Sequence, residues 1–122
     1  MTDGGQTLVF VIVRNSLVTN SNDELVRSLK ALASPVRLTI LRDLRDPVAN
    51  FPPQVDGDPV TDGICADSIR ERLGIAAATA SRHLTLLVDA GLLIATRKKG
   101  WTFYRRNGAG IRALAEHVES GV

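Results

Sequence analysis

From Asn22 onward the apolar residues of the chain fall at helical spacing. Leu25, Leu29 and Leu32 recur behind Asn22, which can cap a helix, and behind Asp23 and Glu24, which suit its positive end; together they predict a helix over 23–33. A second helix is predicted from "SPVRLTILRDL", with Ser34 as N-cap and Pro35 at the first helical position, where its missing N–H costs nothing. Val36, Ile40, Leu41 and Leu44 form its buried face. The pattern then breaks. Pro47, Pro52, Pro53, Gly57 and Pro59 mark 46–62 as a loop, long enough for so small a domain to imply function or mobility.

Helical spacing returns in "CADSIRERLGI", where Ile64, Ile69 and Leu73 recur and Gly74 supplies a left-handed stop. "AAATASRHLTLLVDAG" follows after a few residues. At about 100° per residue, Ala80, Leu84, Leu87 and Val88 share one side of that helix, and Ala78, Ser81, Arg82 and Thr85 share the other. Two short helices across a tight turn, the second with a small and polar outer face, form a helix-turn-helix pattern. Beyond Gly91 the period shortens to that of β structure. Segments 92–97 and 101–106, rich in Thr and aromatic residues, flank a Lys98-Lys99-Gly100 tip and predict a hairpin, the wing. A last helix near 109–119 aligns Ile111, Leu114, Ala115 and Val118. The opening "MTDGGQTLVFVIVRNSLVTN" has no helical period. Residues 1–20 read as a strand or flexible arm, or as sequence upstream of a start near Val18, ahead of one domain over 21–120.

Composition narrows the class. A chain of 122 residues is one small domain, and 44% hydrophobic with 23% charged residues is a folding composition. Cys65 is the single cysteine, so no intramolecular disulfide forms, and a reducing, cytoplasmic setting is expected. No apolar run reaches the ~18 residues of a membrane span, and "LVFVIV" at 8–13 lacks the flanks of a signal peptide. The net charge is only +2. Its distribution is uneven: "RKKGWTFYRR" holds Arg97, Lys98, Lys99, Arg105 and Arg106 without an acid, whereas 46–62 holds Asp46, Asp56, Asp58 and Asp62 without a base. One surface is thus expected to meet a polyanion and another to be kept away from it.

In their order and spacing, "LKALASPVRLTIL", "IRERLGIAAATASRHLTLLVDAGLL" and "RKKGWTFYRR" resemble the ArsR/SmtB family of winged helix-turn-helix regulators over about 22–118. The resemblance implies a mainly α fold with a small β-hairpin and a homodimer built from the first and last helices. It also implies a repressor released by an inducer. Double-stranded DNA with a palindromic operator is the expected partner, with half-sites ~34 Å apart, and no membrane is involved.

The residues agree with that class. A helix enters the major groove when its outer face carries polar groups without bulk, as Thr79, Ser81, Arg82 and Thr85 would provide. Arg82 is the candidate for direct base reading, since a guanidinium grips guanine O6 and N7 together for ~1–3 kcal/mol; a phosphate contact or plain exposure is the alternative. Ser and Thr more often position on phosphates. Ala76, Ala77 and Ala78 depart from the polar residues usual at the start of such helices, which removes a cap. Arg97, Lys98 and Lys99 would reach the backbone or an adjacent minor groove. Trp101 and Phe103 share a strand face and are expected to pack the wing onto the body. His83 reads as a hydrogen-bonded boundary residue ahead of a base or a ligand.

For an inducer, the family's Cys-x-Cys position is half present as Cys65 and Asp67, with Cys65 as a plain small hydrophobe the alternative. The last helix offers His117 with Glu116 and Glu119 but lacks a two-histidine spacing. Nickel or zinc is therefore one reading, and a small-molecule pocket gated by loop 46–62 another. The competing function is a protein-interaction module that keeps the winged-helix body without reading DNA, prompted by the alanines of the recognition helix. No nucleophile, base and orienting group fall together, so an enzyme is not expected.

Overall fold

The computed structural model describes residues 22–122. The strand or arm expected over 1–20 lies outside them. Residues 22–32 are helical (α1), and Asn22 is already inside the helix instead of capping it. Then come α2 (Pro35–Asp43), α3 (Pro47–Asn50), β1 (Ile64–Cys65), α4 (Ala66–Leu73), α5 (Ala77–Asp89), β2 (Leu93–Lys98), β3 (Trp101–Arg106) and α6 (Gly108–Gly121).

Local chemistry accounts for the boundaries. Ser34 is extended and its hydroxyl accepts the Arg37 N–H at 3.2 Å, with Pro35 following it, so α2 starts as its sequence predicts. Asp46 does the same for Ala49 ahead of Pro47, and this produces α3 inside the stretch expected to be all loop. Here proline opens a helix where the sequence reading took it as a breaker. Gly74 adopts the left-handed conformation, φ 69°, and ends α4.

The β structure is larger than the expected hairpin. Three antiparallel strands stand in the order β1-β3-β2. Lys98 pairs with Trp101 across the tip, while β1 adds Ile64 opposite Tyr104 and Cys65 opposite Phe103. Cys65 thus belongs to a strand and precedes α4, where the sequence put it in the helix. Lys99 and Gly100 have φ of 53° and 81°, a two-residue turn with both residues left-handed, which matches the twist of the flanking strands.

Ile40 and Leu41 of α2, Leu44 just beyond its end, Ile69 of α4, and Leu84 and Leu87 of α5 meet Ile64, Leu92 and Leu93 in one core. Leu84 and Leu87 are fully buried, so α5 is held by its apolar side and its other side faces out. The faces predicted for the outer helices are only partly covered: Leu32, Ile111 and Leu114 pack against the core, whereas Leu29 of α1 and Val118 of α6 are about two-fifths exposed, at 43% and 40%.

Candidate nucleic-acid interface

α4, the Gly74-Ile75-Ala76 turn and α5 form the helix-turn-helix. Ala76 caps α5 without a side-chain hydrogen bond, as its alanine dictates. Ala77, Ala78, Ser81, Arg82 and Thr85 are exposed together, and Thr79 sits half-buried at the edge of that face. The first two turns of α5 therefore offer a surface of methyls, hydroxyls and one guanidinium, low enough for close approach by a large polyanion.

α5 is oriented by a residue the sequence reading passed over. Arg37, on α2, donates from Nε to the Ala31 carbonyl at 2.7 Å and from Nη2 to the Lys30 carbonyl at 3.0 Å, closing the C-terminal end of α1. Its Nη1 donates to His83 Nδ1 at 2.9 Å, which leaves the proton of the neutral ring on Nε2. Burial, and then the charges of Arg37 and Arg82, hold the His83 pKa below the ordinary histidine value. His83 is thus a hydrogen-bonded boundary residue, as expected. A cation two residues after a Ser-Pro helix start, facing the end of the preceding helix, was the available signal for Arg37.

The wing is less uniformly basic than "RKKGWTFYRR" suggests. Arg97, Lys98 and Lys99 are exposed at its tip. Arg97 donates to the Thr102 hydroxyl at 3.4 Å. Arg106, by contrast, turns back to the Leu41 carbonyl at 2.9 Å and serves the fold. The acidic loop does not stay away from the basic surface as its charge suggested. Asp62 reaches Lys98 at 3.2 Å and so lies directly on the wing. The expected aromatic packing is half right: Phe103 is buried, whereas Trp101 is 46% exposed, because it stands beside the tip, beyond the core's reach.

Trp101 borders a cleft of about 240 Å³ between the loop, α4 and the wing, shared with Gln54, Asp56, Cys65, Asp67 and Phe103. The Cys65 thiol donates to Ser68 Oγ at 3.3 Å, and Asp67 pairs with Arg70 at 3.3 Å. His117 lies in another cleft, between α1 and α6, with Glu116 and Glu119 exposed beside it. Among the described residues no three His, Cys, Asp or Glu side chains converge as metal ligands.

No protein-family model matches the chain. It is 35% identical over 99 residues to the uncharacterized HTH-type transcriptional regulator YbzH of Bacillus subtilis (strain 168), covering 81% of this chain and 99% of that one. Among solved structures, an ArsR-like transcriptional regulator from Rhodococcus sp. RHA1 superposes with a TM-score of 0.61 at 25% identity, covering 82% of this chain and 80% of the other. The chain belongs to the ArsR family of helix-turn-helix transcriptional regulators. The ArsR fold is also that of the homodimeric winged helix-turn-helix DNA-binding domain of Mb0332 from Mycobacterium bovis, with a TM-score of 0.58 at 26% identity over 84% of this chain and 82% of that one. As an ArsR regulator the chain is a DNA-binding protein of a class whose members are generally not enzymes. None of its described helices is long and apolar enough to cross a membrane.

Proposed function

We propose that the chain acts as a homodimeric repressor that sets one α5 into each of two successive major grooves of a palindromic operator and leaves it when an inducer binds. The observation that carries this reading is the outward face of α5, where Ser81, Arg82 and Thr85 stand exposed on a helix anchored by Leu84 and Leu87. Arg82 reads a guanine. Arg97 and Lys99 hold the backbone beside it, sequence-independently.

Two-fold docking is supported by the apolar residues that α1 and α6 leave uncovered, Val26, Leu29 and Val118, and by the homodimer named for the Mb0332 domain. The inducer is a small molecule, for which the cleft beside Trp101 has the room of roughly eight heavy atoms and connects the loop to the wing. The test is fluorescence anisotropy on a duplex from upstream of the protein's own gene, with a scrambled duplex as competitor, at two salt concentrations. Specific binding well above the competitor is the expected result. Equal and wholly salt-suppressed binding to both duplexes would refute it and favour the protein-interaction module.

A further inference from the structure

We propose that Asp62 sets the DNA affinity of the wing by withholding the Lys98 ammonium from the phosphate backbone. The proposal rests on the wing tip lying against DNA.

The two partners of this ion pair are unequal. Asp62 is fixed on every side. Its carboxylate accepts the Asp58 N–H at 2.8 Å, and the Asp62 and Gly63 N–H groups return to the Asp58 carbonyl at 2.9 and 3.0 Å. Asp58 Oδ1 in turn accepts from Val60 and Thr61 at 2.8 and 2.9 Å, closing the turn internally. Gln54 then ties the turn to β1, donating to the Gly63 carbonyl at 2.9 Å and accepting from the Cys65 N–H at 3.1 Å. Gly63, at φ 113°, lies so close to the Tyr104 backbone that a Cβ there would collide with it. Lys98 has no such scaffold. Its side chain is 52% exposed on a flexible stem, against 15% for Asp62.

A preorganised carboxylate beside a cation offers what a phosphate offers: negative charge and acceptor oxygens. DNA must therefore displace it. Breaking an exposed ion pair costs little, but the carboxylate remains in place when the lysine leaves, and it repels the incoming phosphate. Arg97 and Lys99 meet only neutral or solvent surroundings among the described residues. The wing thus presents two available cations and one held in reserve.

Asp62→Asn tests this, since the amide oxygen still accepts the Asp58 N–H while the charge is gone. Full-length protein is titrated by anisotropy onto the specific and the scrambled duplex between about 50 and 300 mM salt. Asp62→Asn is expected to steepen the slope of log K on log salt by about 1.8, the release of one further counterion at each wing of the bound dimer, and to tighten binding about tenfold at the lowest salt. Both duplexes should respond alike, because a phosphate contact carries no sequence information. Adding Lys98→Gln to Asp62→Asn should return the slope to that of Lys98→Gln alone. In the wild-type background Lys98→Gln should lower the slope by less than half as much as Lys99→Gln, a comparison that holds even if Asp62→Asn does not fold. An unchanged slope, weaker binding by Asp62→Asn, or equal losses for the two lysine variants would overturn the proposal. Wild-type protein that binds neither duplex would instead overturn the DNA docking on which it rests.

Discussion

Replacing Arg37 by methionine keeps the apolar stem and removes three hydrogen bonds at one stroke. Those to the Ala31 carbonyl and His83 Nδ1 are partly buried, while the Lys30 carbonyl remains open to water. Hydrogen bonds from a charged group contribute about 1.5–3 kcal/mol when buried and less when water can substitute. Counting two at the lower end and neglecting the exposed one, Arg37→Met should cost about 2–3 kcal/mol. That is a large part of the 5–15 kcal/mol that holds a typical domain together. For a domain of this size it lowers Tm by about 10–20 °C. Urea denaturation followed by circular dichroism measures it as a fall in midpoint at constant m. A double-mutant cycle with His83→Ala isolates the Arg37–His83 bond, for which a coupling of about 1 kcal/mol is expected. A loss below about 0.5 kcal/mol, the size of an ordinary surface substitution, would show that water replaces the guanidinium and that Arg37 does not orient α5.

Three further outcomes are expected. Arg82→Ala should narrow the gap between specific and scrambled duplexes by about 1–3 kcal/mol per half-site, whereas Lys99→Gln should weaken both equally and lower the salt slope by about 2, one for each wing of the dimer; competition anisotropy separates the two. His83 carries a depressed pKa, so the unfolded chain binds more protons than the folded one just below the ordinary histidine value. Its contribution to stability is complete above about pH 6.5 and is lost as pH falls toward the folded pKa. His83→Gln should therefore flatten the acidic limb of Tm against pH, and parallel curves for the two proteins would contradict this. Leu84→Ala, at a site with 0% exposure, should cost about 2–5 kcal/mol in urea denaturation.

The helices were legible because each carries its own signals. Ser34-Pro35 opens α2, Gly74 closes α4, and the 100° periodicity of Ala80, Leu84 and Leu87 separates the inner from the outer face of α5. The wing was legible from its Lys99-Gly100 turn and flanking β-formers. β1 was not, since two residues show no alternation and their pairing with Tyr104 and Phe103 spans some forty positions of sequence. The outward Ser81, Arg82 and Thr85 followed from the same periodicity, and Thr79 fell at its margin. What periodicity does not carry is where a long polar side chain ends. Arg37 on His83, Arg106 on Leu41 and Asp62 on Lys98 are all contacts between distant segments, fixed by packing that local pattern does not encode. The reading of charge by sequence blocks failed for that reason.

The strand order leaves β2 at one margin of the sheet, with no strand paired to its outer side among the described residues. An open margin of this kind is a template on which another chain can add a strand, and natural sheets guard it with cations. Arg97 and Lys98 occupy the far end of β2. The charges that suit this wing to nucleic acid are also the guard against self-association through its edge. Variants that neutralise both together exchange one fault for two, losing grip on DNA and gaining a route to aggregation. Light scattering belongs beside every binding curve recorded on them.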